Sequence, residues 1–136
     1  MEQKDYLMRE IEKIGLLLRA VLDSLIHRKE NLSLTIENHF DKLKELLNHQ
    51  TGIDLNQLLQ LDEAAARECI LQFHGMNSEN LELLAEIMFQ SGISGQPDQQ
   101  RMYLEKAIQL YELCRELDKT YSPARESRIK EIKNIL

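Results

Sequence analysis

Asp41, Glu45 and His49 recur at every fourth residue, a spacing that stacks two carboxylates and an imidazole along one face of a helix. Oxygen and nitrogen donors of these kinds can ligate a divalent metal. Three ligands spread over two turns do not converge on one ion, and the Glu-x-x-His element with which helical bundles hold paired iron atoms is absent from the sequence. The face therefore reads as a solvated polar surface, with no metal and no cofactor. Ser24 and Cys69 are nucleophile types that would act only if folding brought a base to them. His27, His39 and His74 fall at expected helix ends or on polar faces and read as surface or capping residues. Neither a glycine-rich phosphate loop nor a nucleophile elbow occurs. The chain is thus expected not to be an enzyme. The competing class is a helical-bundle hydrolase or metal-binding protein whose site is assembled from separate helices.

A second pattern points to recognition. Glu79, Glu82, Glu86 and Gln90 follow one another at steps of three and four, which lines them along the outward side of a single helix. Carboxylates on neighbouring turns repel by a few tenths of a kcal/mol, and a basic peptide or protein surface docked there would relieve that repulsion. Charge is distributed to match, since residues 51–100 carry eight acidic side chains and one basic one within a chain of net charge −6. An excess of this sign repels a phosphate backbone, so no nucleic-acid partner is expected.

The elements that must position these residues are all helices. Leu7, Ile11, Ile14, Leu18, Val21 and Leu25 mark the buried stripe of a first helix over about 4–28, which Met8, Leu17, Leu22 and Ile26 widen. Gly15 inside it implies a close crossing helix. After a polar turn at 27–31, Leu32, Ile36, Phe40, Leu43 and Leu47 place a second helix antiparallel to the first, ending at Gly52. Asp54 and Asp62 are N-caps for two short helices, the second stopping near Phe73 with Gly75 as a left-handed terminator. Ser78 opens a fifth helix with Leu81, Leu84, Ala85, Met88 and Phe89 inward and Gly92 at its end, and 91–97 reads as a loop. Asp98 to about Lys119 carries Leu104, Ala107, Tyr111 and Cys114 inward. Ser122 and Pro123 then start a last helix bearing Ile129, Ile132 and Leu136.

The expectation is one all-α domain over 1–136: an N-terminal helical hairpin over 1–50, then short helices, a repeat-like hairpin and a capping helix over 51–136. Cys69 and Cys114 are too few and too far apart for a disulfide framework or a zinc site and read as reduced core residues. No leader and no apolar run long enough to cross a bilayer is visible, which reads as a cytoplasmic protein without a membrane partner. The first helix has more apolar surface than one neighbour can cover, so a homodimer is a second expected interaction.

Leu81, Leu84, Ala85, Met88 and Gly92 on one helix, with Leu104, Ala107, Tyr111 and Cys114 on the next, resemble a degenerate tetratricopeptide repeat. That resemblance implies a groove for extended peptides on the side where Glu79, Glu82, Glu86 and Gln90 lie. The run Asp5-Tyr6-Leu7-Met8-Arg9 with Ile11-Glu12, and the segment Asp54-Leu55-Asn56-Gln57-Leu58-Leu59, are similar to a family of small uncharacterised bacterial all-helical proteins. Such a domain of unknown function brings a fold without an assigned activity. The expected role is a non-catalytic interaction or scaffold module that binds a partner through a helical groove or associates with itself.

Overall fold

A computed structural model describes residues 2–30, 34–95 and 97–136, with side chains over 4–26, 41–95 and 97–136. The chain is all-helical, with seven helices and no strand among the described residues: α1 (Glu2–Glu30), α2 (Leu34–Thr51), α3 (Leu55–Gln60), α4 (Glu63–Leu71), α5 (Ser78–Ser94), α6 (Pro97–Asp118) and α7 (Pro123–Ile135). The expected inward residues Leu32, Ile36 and Phe40, and the histidines His27 and His39, lie outside the described side chains.

Helix ends form where the sequence offers side-chain acceptors. Asp54 accepts from the Asn56 and Gln57 amides, Asp62 from that of Ala65, and Asn77 from that of Asn80. Ser122 accepts from the Arg125 amide, with Pro123 in the first turn where its missing N–H is harmless. Gly52 takes the left-handed conformation that closes α2.

α5 sits at the centre, packed on α1 and along the whole of α6. Ser78 meets Cys114, Glu86 meets Tyr111 and Gly92 meets Leu104, an order that makes α5 and α6 antiparallel. Leu81, Leu84, Ala85, Met88 and Phe89 from α5 and Leu104, Ala107, Tyr111 and Cys114 from α6 are all buried. Ile14, Leu18, Val21 and Leu25 of α1 and Ile129 and Ile132 of α7 complete the core. Each buried Leu, Ile, Val, Met or Phe among them contributes about 1.5–3 kcal/mol by leaving water.

Several sequence expectations need correction. Gly92 does not end α5, which continues to Ser94 and shortens the expected 91–97 loop. A Cβ on Gly92 would lie 3.0–3.1 Å from Leu104 and Tyr103, so the glycine serves the close α5–α6 approach. Nor is Gly75 a left-handed stop: Gly52 is the one described glycine with positive φ, and a Gly75 Cβ would lie 2.7 Å from the Glu10 backbone. The contact is with main chain, which cannot swing aside. Gly75→Ala is therefore expected to destabilise the fold by about 1–3 kcal/mol, read as a lower urea midpoint. Leu7, at 40 % exposure, and Leu136 lie outside the core because the bundle does not reach them. The crossing implied by Gly15 is present, since its missing Cβ leaves room for the Asn80 amide oxygen, 2.9 Å from where that carbon would be.

Candidate docking cleft between α5 and α7

Glu79, Glu82 and Glu86 leave α5 on the side facing α7. They line a cleft of about 530 Å³ whose floor is Leu22 of α1 and Leu83 of α5, and whose far wall is Ala124, Ser127 and Glu131 of α7. A smaller and more enclosed pocket of about 180 Å³ lies between α4 and α6 and contains none of the candidate residues.

The carboxylates are not bare. Arg125 Nε donates to Glu82 Oε1 at 3.2 Å, while its other nitrogens reach Asp118 Oδ2 at 2.6 Å, Asp118 Oδ1 at 3.3 Å and the Thr120 carbonyl at 3.4 Å. One turn further on, Arg128 grips Glu86 through Nη2 at 2.6 Å and Nε at 3.1 Å, and reaches Glu131 at 2.9 Å. Its guanidinium also lies 4.0 Å from the centre of the Phe89 ring, a cation–π contact. The chain thus supplies its own basic helix to part of the acidic stripe. Glutamates four apart on α5 meet arginines three apart on α7 because both spacings put side chains on one helical face.

Tyr111 closes the inner end of the cleft, its hydroxyl donating to Glu86 Oε2. Burial, followed by the Glu86 contact, pushes its phenol well above the usual range, so it remains a neutral donor. Burial also raises the nearby Cys114 thiol to about 12, which makes it an inert core residue. Asp118 is held below the usual carboxylate range by Arg125 and by the Thr120 amide.

Glu79, Glu82, Glu86 and Glu131 set four carboxylates against two guanidiniums around the cleft, an excess of two negative charges. Arg125 engages four of its five N–H donors within the chain and Arg128 three of its five. Glu79 is exposed and has neither ion pair nor hydrogen bond among the described residues. Gln90 does not line the cleft, and its amide donates to Glu86 at 3.2 Å.

Elsewhere the sequence candidates form no ligand or catalytic set, although Asp41 and Glu45 share with Asp54 and Asn56 a depression of about 370 Å³ that His49 does not line. Asp41, Glu45 and His49 are exposed on α2, and no group of three metal-type ligands occurs among the described residues. Ser24 is buried with its Oγ unpartnered, so no base is hydrogen-bonded to it. Cys69 is half-buried and free, and His74 is exposed. No helix is long and apolar enough to cross a membrane among the described residues.

Arg125, Arg128 and Tyr111 are the site residues that sequence reasoning missed. The available signal was the Arg-x-x-Arg pair on the last helix, matched to the Glu-x-x-x-Glu pair on the fifth. A fourth polar residue, Lys106, is only 3 % exposed and holds α3 onto α6, its Nζ donating to the Leu61 carbonyl at 2.5 Å and to Gln109 at 2.9 Å. Leu61 is the C-cap of α3, where a cation also complements the helix dipole. Burial lowers the ammonium pKa, and the charges of Asp62 and Glu63 oppose that shift.

Compared with known proteins, the chain matches no family model, no curated protein and no solved structure.

Proposed function

We propose that the protein is a non-catalytic interaction module whose α5–α7 cleft docks a basic segment of a partner protein. The observation that carries this reading is the uncompensated charge of a cleft with an apolar floor. Two carboxylates more than guanidiniums surround Leu22 and Leu83, and the arginines present already hold internal partners. An occupant with apolar side chains against the floor and Lys or Arg at the rim satisfies both features. A repeat-like hairpin with its groove on this side agrees with the same reading.

The structure changes which residues test it. Reversing Glu82 or Glu86 would strip Arg125 or Arg128 of a partner and disturb α7 itself. Glu79 has no partner to orphan, and Glu131 shares Arg128 with Glu86. A short helical peptide of Lys, Arg and Leu, titrated into the isotope-labelled full chain, is expected to shift the amide signals of Glu79, Leu83 and Ser127. Glu79→Lys with Glu131→Lys should weaken that binding about tenfold while leaving the fold intact. Shifts spread evenly over the acidic surface, or binding unchanged by the two reversals, would exclude the cleft.

A further inference from the structure

The outward face of α1 carries a charge pattern that is complementary to itself. Arg9, Glu12, Leu16, Arg19 and Asp23 follow at steps of three, four, three and four, which places all five on one stripe opposite the buried Ile14, Leu18, Val21 and Leu25. All five are exposed, and Leu16, at 68 %, is the most exposed of the large aliphatic side chains described. None of the four charged residues has an ion pair or hydrogen bond among the described residues. Met8 and Ile26, also exposed, flank the stripe at its two ends.

Read along the helix, the order is positive, negative, leucine, positive, negative. We propose that α1 pairs with α1 of a second copy, antiparallel about a two-fold axis at Leu16. In that arrangement Leu16 meets Leu16 of the other copy, Glu12 faces Arg19 and Arg9 faces Asp23, each contact occurring twice by symmetry. A parallel pairing would instead set like charge against like at every level, and a slip of one heptad would remove the Leu16 contact. The charge order therefore selects both direction and register, as interhelical charges do in paired helices. From Arg9 to Asp23 the stripe is about 21 Å long, so the contact is a single helix face. Such an interface lies at the small end of specific ones, and association in the range of about 10–100 µM is expected.

Charge exchange tests the pairing in the full chain. Sedimentation equilibrium of the wild type should show a reversible monomer–dimer equilibrium that weakens with added salt. Glu12→Arg alone or Arg19→Glu alone places like charges together at both symmetric contacts and should raise Kd at least about tenfold. The double variant restores opposite charges at both contacts and should return to within about threefold of wild type. Leu16→Asp should abolish the dimer. Because all these positions are exposed, the helical circular dichroism and thermal midpoint should stay close to wild type in every variant. A wild type that is monomeric at millimolar concentration, or a double variant as weak as the singles, would overturn the proposal.

Discussion

Asn80→Asp is expected to remove about 3–5 kcal/mol of folding free energy, although the two side chains have the same shape. Asn80 is 4 % exposed at the start of α5, and its Nδ2 donates to the Ile11 carbonyl of α1 at 3.0 Å and to the Gly75 carbonyl at 2.8 Å. One amide group thus ties together α1, the turn before α5 and α5 itself. An aspartate would turn an acceptor toward two carbonyl oxygens. Ionised, it would be a buried charge without a donor; protonated, it could serve only one of the two carbonyls.

The choice between those states gives the variant a pH signature. The introduced carboxyl would have its folded pKa raised above its unfolded value of about 3.9, because burial and two carbonyl dipoles disfavour the anion. A group of that kind adds stability below its unfolded pKa and loses it as pH rises through the folded value. The variant should therefore approach wild type as pH falls toward 4, and show the full loss, a drop of about 10–20 °C in melting temperature, near pH 7. Asn80→Ala should lose less, about 2–3 kcal/mol, with no such pH dependence. Thermal melts across this range check both variants, and a deficit independent of pH in the aspartate variant would mean that the amide donors do not decide the matter.

Asn80 also shows where sequence reading stops. An asparagine two positions into a helix reads as a capping-region residue, and nothing local reveals that its amide reaches a backbone 69 positions away. By contrast the α5 and α6 core positions were legible, because apolar spacing of three and four fixes a buried face whatever the partner. The caps Asp54, Asp62 and Ser122 were legible for a similarly local reason. Glycines were not. Gly75 and Gly92 look like terminators in one dimension, yet they are needed because the Glu10 backbone and Leu104 come close in three.

The same limit applied to the acidic stripe. Its existence follows from Glu79, Glu82 and Glu86 alone, but what faces it depends on where α7 packs. Two buried isoleucines, Ile129 and Ile132, set that packing and bring Arg125 and Arg128 over α5. Two of those three glutamates thus belong to internal structure, and Glu79 alone has no partner among the described residues.

Arg125→Met is expected to cost about 2–3 kcal/mol and to act first on α7. Arg125 is 5 % exposed and joins Glu82 on α5, Asp118 at the end of α6 and the Thr120 carbonyl in the turn that leads into α7. Removing the guanidinium orphans two carboxylates, but both retain partial access to water, which places the loss below that of a fully enclosed pair. Arg125→Lys keeps the charge without the planar fork that spans both acids, so it should recover only part of the stability. Asp118 adds an acid arm. Its folded pKa lies below the ordinary carboxylate value, so its contribution is present above that value and disappears as pH falls through the lowered one. Wild-type α7 should consequently loosen in strong acid, a sensitivity that Arg125→Met lacks because the pair is already broken. Hydrogen exchange is the direct readout: α7 amides in Arg125→Met should exchange about 30–150-fold faster at neutral pH, the rate equivalent of that free energy, with α5 less affected. Unchanged exchange in α7 would mean that Ile129 and Ile132 hold the helix without the ion pairs, and the cleft wall would then owe its position to packing alone.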